Sequence, residues 1–205
     1  MAPYTEIDRD ILISQVSGLG NDSSFEITSD PTPIYNCIGF AMGMNDIWVA
    51  LAHPRNIPWV WWPPTAPTDR NPGSLVNAFE YMGFTQCSTG FMEEDFDKVA
   101  LYAKNGIWTH AAKIVENNLY HSKMGEAWDI VHSAGDVFHN DSYGDVFAFM
   151  KRPIKDRDIT LKLRPEIGKV KYAGKVYIYM SHDGHDFGWT LVPDESFADK
   201  LLAGR

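Results

Sequence analysis

The chain is short of cysteine, of positive charge and of long apolar runs. Two cysteines in 205 residues, Cys37 and Cys87, are not the framework that staples small secreted domains. Eighteen basic side chains stand against 27 acidic ones, a formal charge of −9, which disfavours nonspecific attachment to nucleic acid or to an anionic membrane surface. No apolar stretch approaches the ~20 residues of a membrane-spanning helix. The opening MAPYTEIDRD is acidic where a secretory signal is basic and then apolar. A cytoplasmic protein is therefore expected, with export only by a route that leaves no cleaved signal. Walker-A, dinucleotide and GxSxG motifs are also missing. No cofactor and no metal is expected, and the oligomeric state is left open.

Core-forming residues are plentiful: seven tryptophans, eleven phenylalanines and 44% hydrophobic residues suit one domain with a small appendage. The stretch YNCIGFAMG at 35–43 is the centre of interest. Pro31 and Pro33 bias the chain before it away from helix. From Phe40 the apolar residues Ala41, Met44, Trp48 and Leu51 recur at helical spacing, so a helix is predicted from about Asn36 to Leu51. Cys37 then lies on a first turn, where unpaired N–H groups and the helix dipole favour thiolate. Gly39 and Gly43 would let another backbone approach. The plainer reading is a small buried core cysteine.

Little regular structure is expected before residue 34. Residues 54–73 hold six prolines and the cluster WVWWPP, read as a long ordered loop that either packs on the core or forms a substrate wall. SLVNAFEYM at 74–82 reads as a helix capped by Ser74 and Gly83. GFTQC and 97–105 have strand character. IWTHAAKIV at 107–115 is the strongest strand, followed by a turn at Asn117-Asn118 and a return strand at 119–125. EAWDIVHS at 126–133 reads as irregular or a helical turn, and 145–153 mixes strand and helix signals. Residues 158–164, 169–180 and 187–193 read as strands before a short terminal helix. The boundaries are a main unit at 1–153 and a β-rich extension at 154–205.

A cysteine hydrolase needs an imidazole beside the thiol and a polar group to orient it. His110, on the strongest strand and followed by two alanines, is the natural partner of Cys37. The orienting group belongs on the returning strand, where Ser122, Lys123, Glu126 and Asp129 are candidates. Ser122 has the better strand placement, and the carboxylates have the better chemistry. HDGHD at 182–186 reads as a solvated turn, VFHNDSYGD at 137–145 lacks the alternation of a calcium loop, and His132 and His139 read as packing or surface histidines.

NCIGF at 36–40, THAAKI at 109–114 and HSKMG at 121–125 together resemble the papain-like cysteine hydrolase superfamily. The cysteine motif is similar to the Asp-Cys-Ser-Gly signature of the NlpC/P60 cell-wall peptidases, and HSKMG resembles in placement the Asn-Ser-Trp-Gly segment of papain. WWPP, THAA, SKMG and DIVH are most similar to an uncharacterised bacterial family built around Thr-His-Ala-Ala and Ser-Lys-Leu-Gly motifs. The likeness covers about residues 30–150. Asn36 and Ile38 stand where the cell-wall peptidases have Asp and Ser, and Pro31 where papain has a glutamine. The resemblance implies an α+β, papain-like fold with the nucleophile helix packed on a central antiparallel sheet. It implies Cys37 as nucleophile, His110 as base, Ser122 or Asp129 as orienting residue, and the Cys37 N–H with Asn36 at the oxyanion. Trp61 and Trp62 would line the substrate site, and the substrate would be a peptide or protein amide. Two alternatives stand beside this: a non-catalytic peptide- or glycan-binding protein on the same fold, and a delivered effector or toxin acting as deamidase or transglutaminase.

Overall fold

The computed structural model describes residues 4–52, 60–133, 135–139, 141–182 and 185–203. Trp59 of the aromatic cluster and Asp183-Gly184 of HDGHD lie outside them.

The N-terminal segment departs from the expectation of irregular chain. Thr5 and Asp8 form a capping box, each side chain bonding the other's backbone, and this starts helix α1 (Glu6–Gln15). Strand β1 (Glu26–Ile27) follows, then helix α2 (Cys37–Met42), strands β2 (Trp48–Val49) and β3 (Val60–Trp61), and helix α3 (Pro72–Tyr81). The main strands are β4 (Thr85–Cys87), β5 (Phe96–Lys104), β6 (Ile107–Ile114), β7 (Tyr120–Lys123), β8 (Asp129–His132) and β9 (Asp145–Pro153). Helix α4 (Asp158–Leu163), the hairpin strands β10 (Glu166–Tyr172), β11 (Lys175–His182) and β12 (His185–Val192), and helix α5 (Glu195–Leu202) complete the chain.

Seven strands form one antiparallel sheet in the order β1-β8-β7-β6-β5-β9-β4. Strand alternation sorts its side chains into two layers. Val99, Leu101, Ala111 and Met150 join α2 and α3 in one core; Ala100, Tyr102, Ala112 and Ile130 join Leu12 and Phe138 in the other. The fold is thus α+β. The last three strands form a separate antiparallel sheet whose Ile167, Ile178, Met180 and Val192 enter the first core, with Ala198 of α5. Among the described residues no helix is long and apolar enough to cross a membrane.

Four expectations are corrected. The Cys37 helix stops at Met42, because Gly43 takes φ +89 and closes it, and the chain turns back to pair β2 in parallel with β3. Gly39 does admit a backbone: a Cβ there would lie 2.6 Å from the Ile47 carbonyl oxygen. Helix α3 begins earlier than Ser74, with Asn71 at its cap and Pro72 in its first turn. Residues 129–132 form a strand, held between β7 and β1. Residues 158–163 form a helix despite their alternation, since Thr160 is buried and accepts a hydrogen bond from Arg152 Nη1 at 2.5 Å.

Candidate active site

Asn36 and Cys37 begin helix α2. Asn36 Oδ1 accepts from the Gly39 amide at 3.0 Å and the Val49 amide at 3.1 Å, and its Nδ2 donates to the Val49 carbonyl at 2.8 Å. This carboxamide, buried with its residue, caps the helix and ties it to β2. It is a brace rather than a group turned toward a substrate.

The helix leaves the amides of Cys37 and Ile38 without a backbone carbonyl, as first-turn amides must be. Both point toward Cys37 Sγ, and the Ala111 amide of β6 joins them. These three donors favour thiolate, as does the positive Lys123 nearby, but burial outweighs them and pushes the thiol up to about 11. The expected low-pKa thiolate is therefore corrected: six residues make a weak dipole, and desolvation of the buried sulfur is the larger effect.

His110 precedes the amide that touches the sulfur. Its ring packs against Tyr143 at 4.4 Å, Phe138 at 5.2 Å and Tyr102 at 5.4 Å, with no exposure to solvent. The register pairs Ala112 with Ser122, which sets Ser122 on the His110 face of the sheet. His110 Nε2 lies 3.0 Å from Ser122 Oγ, and Ser122 Oγ lies 2.8 Å from His132 Nε2. His132 Nδ1 lies 2.7 Å from the Ser133 carbonyl.

The carbonyl end fixes the direction of every proton. The Ser133 carbonyl can only accept, so His132 carries its proton on Nδ1 and accepts at Nε2. Ser122 then donates to His132 and accepts from His110 Nε2–H. His110 Nδ1 is left as a bare lone pair, buried and without a hydrogen-bond partner among the described residues. Burial, and secondly His132, lowers His110 to about 3, and burial lowers His132 to about 4. Both rings are neutral at ordinary pH. No hydrogen bond links Cys37 to His110.

Asp129 does not reach His110. Tyr35 Oη donates to Asp129 Oδ2 at 2.7 Å, and Lys123 Nζ stands 3.8 Å from Oδ1. Lys123 also donates to the Ala127 carbonyl and lies 5.0 Å over the Tyr35 ring. Burial lowers Lys123 to about 8, and Asp129 opposes that fall. Trp61 is a core residue, 2% exposed. Trp62 donates from Nε1 to the Pro67 carbonyl at 3.1 Å and stacks on Trp108 at 5.5 Å. The described part of the aromatic loop thus packs on the core. Both cysteines are free, and Cys87 donates to the Thr89 carbonyl on the edge strand at 3.6 Å.

Hydrogen bonds therefore join His110 to Ser122 on one face of the sheet, while Cys37 lies with α2 in the other layer and meets β6 at the Ala111 amide. The site adds His132, which the sequence reading set aside, and Tyr143, which it did not single out. Recognising DIVH as a strand would have found His132, because residues 130 and 132 then share the Ser122 face.

A family model described as Domain of unknown function (DUF7689) matches residues 26–151, more than half of the chain. The chain belongs to that family. No curated protein and no solved structure matches it. The DUF7689 segment runs from β1 into β9, so it holds Cys37, His110, Ser122 and His132 together.

Proposed function

We propose that the chain is a papain-like cysteine hydrolase that cleaves an amide or peptide bond through a thioester on Cys37. One observation carries this reading: the partnerless, proton-free His110 Nδ1, held by Ser122 and His132 beside the amide that touches Cys37 Sγ. A buried nitrogen lone pair with no donor is costly, and the thiol proton would satisfy it.

In the reaction Cys37 Sγ attacks the amide carbon while its proton passes to His110 Nδ1. The Cys37 N–H faces the oxyanion. The imidazolium returns the proton to the leaving amine, the C–N bond breaks, and a thioester remains. Water, deprotonated by the same Nδ1, then hydrolyses the thioester. Ser122 holds His110 Nε2–H throughout, so the ring keeps its tautomer.

Two shifts say when the proton moves. Burial raises the Cys37 thiol and lowers the His110 imidazole, so both effects oppose transfer of the proton from sulfur to nitrogen before substrate binds. A standing ion pair is thus disfavoured in the resting protein, and proton transfer belongs to the attack itself.

The burial of Cys37, only 8% exposed, favours one other reading: a non-catalytic binding protein in which the thiol is structural. Activated acyl esters and peptide anilides, followed by mass spectrometry of the labelled peptide, separate the two. The hydrolase reading expects acylation of Cys37 that fails in Cys37→Ala and slows at least 100-fold in His110→Ala. Equal rates in His110→Ala, or labelling confined to Cys87, would overturn it.

A further inference from the structure

Helix α2 is too short to cover its face of the sheet, and the uncovered part forms a groove of about 980 Å³. Its floor is one cross-strand row, Val99, Lys113, His121 and Val131, each paired to the next on β5, β6, β7 and β8. The row lies two residues, or ~7 Å, along the strands from Ala111 and Lys123. The Phe40 ring stands over it, with Lys113 Nζ 4.0 Å from its centroid and the edge of His121 at 4.8 Å. Met92, Phe96, Ile154 and Leu161 make the walls apolar.

The charges lining the groove are unevenly matched. Asp97 is shared by Arg152 and Arg157, at 3.2 and 2.5 Å. Lys98 pairs with Glu93 at 2.7 Å. Glu116 and Asp158 are exposed at the rim, where water screens them. Lys113 alone on the floor has no ion pair or hydrogen bond among the described residues, only the Phe40 face. Deeper in, the buried Arg152 keeps an Nε–H with no hydrogen-bond partner among the described residues.

We propose that this groove binds a small molecule that carries one carboxylate on an apolar body, with Lys113 as the partner of the anion. Lys113 is the floor cation that lacks an ion-pair partner among the described residues, so an anionic group has a place there, and the apolar walls match an alkyl or aryl chain. The proposal does not depend on catalysis at Cys37. It also explains why a lysine occupies a floor whose neighbours in the row are apolar or aromatic: a bound carboxylate offsets the desolvation that now lowers Lys113.

The test is titration of the Cys37→Ala protein with octanoate, octanamide and inorganic phosphate, read by calorimetry and by chemical shifts of the Lys113 side chain. Octanoate is expected to bind at least tenfold more tightly than octanamide. Lys113→Met should remove that preference, and Lys113→Arg should retain most of it. Urea midpoints of both variants report whether the fold is intact. Equal binding of octanoate and octanamide, tighter binding of phosphate, or no binding of octanoate to a folded protein would each overturn the proposal.

Discussion

His110 and His132 meet through a single hydroxyl: Ser122 Oγ stands 3.0 Å from one Nε2 and 2.8 Å from the other. Three side chains from three adjacent strands are thereby locked in one proton order. The chain ends at the Ser133 carbonyl on one side and at the bare Nδ1 of His110 on the other. Replacing Ser122 with Ala leaves both Nε2 atoms unpaired in a dry layer. Unsatisfied buried groups cost about 1–3 kcal/mol each, so urea denaturation is expected to show a loss of roughly 2–5 kcal/mol. A loss under 1 kcal/mol would mean that water fills the gap and that the order is not enforced.

The two rings also make stability depend on pH. Both are neutral in the fold, with His110 lowered to about 3 and His132 to about 4, against 6.5 for free histidine. The unfolded chain binds protons on both as pH falls through 6.5, and the native protein does not. Their contribution is therefore complete above pH 6.5 and is lost as pH falls toward 4 and then 3. By linkage the loss approaches ~1.4 kcal/mol per histidine per pH unit, or roughly 5 kcal/mol from both at pH 4.5. Urea midpoints at pH 7.5 and 4.5 measure it. His132→Gln should remove about half of the pH slope, and an unchanged slope would count against burial as its cause.

Asn36 supports a third prediction, because it performs two jobs. It caps α2 through Gly39 and grips both backbone groups of Val49. Asn36→Ala removes a cap worth ~1 kcal/mol and leaves the Val49 peptide unpaired, so a loss of about 2–4 kcal/mol is expected. Asn36→Ser keeps a cap acceptor for the Gly39 amide and loses both bonds to Val49. It should fall between wild type and Ala in a thermal melt, and a Ser variant as stable as wild type would show that the brace is not what holds β2.

These residues show what was legible. Strands β5 and β6, the Asn117-Asn118 turn and the return strand β7 follow from alternation and turn chemistry, and they place His110 and Ser122 together. The end of α2 was not legible, since helical spacing through Trp48 and Leu51 persists where Gly43 and the Asn36 brace turn the chain. DIVH is only four residues long, and its strand state comes from neighbours on both sides. The state of Cys37 was misjudged for a different reason. First-turn position is visible in sequence, but the desolvation that opposes it depends on what covers the helix.

That competition can be measured at Cys37 itself. With its thiol pushed up to about 11, alkylation by iodoacetamide in a Cys87→Ser background should be slow at pH 7 and rise through pH 10 without an earlier plateau. The Ala111, Ile38 and Cys37 amides oppose the upward push on the thiol first and the Lys123 charge last, and burial lowers Lys123 to about 8, so its charge is lost before the thiol ionises. That lysine is buried, and its ammonium is held by the Ala127 carbonyl and by Asp129. Lys123→Met removes a charge that is already lost above about pH 8, so the rise of the rate through pH 10 should stay close to wild type. Lys123→Arg keeps a positive charge through pH 10 and should move the profile to lower pH if the fold persists, which near-ultraviolet circular dichroism reports. Low-pH reactivity with a plateau near pH 5 would mean that a preformed thiolate exists after all. In that case His110 would hold the proton before any substrate arrives, and the order of steps proposed for the attack would have to be reversed.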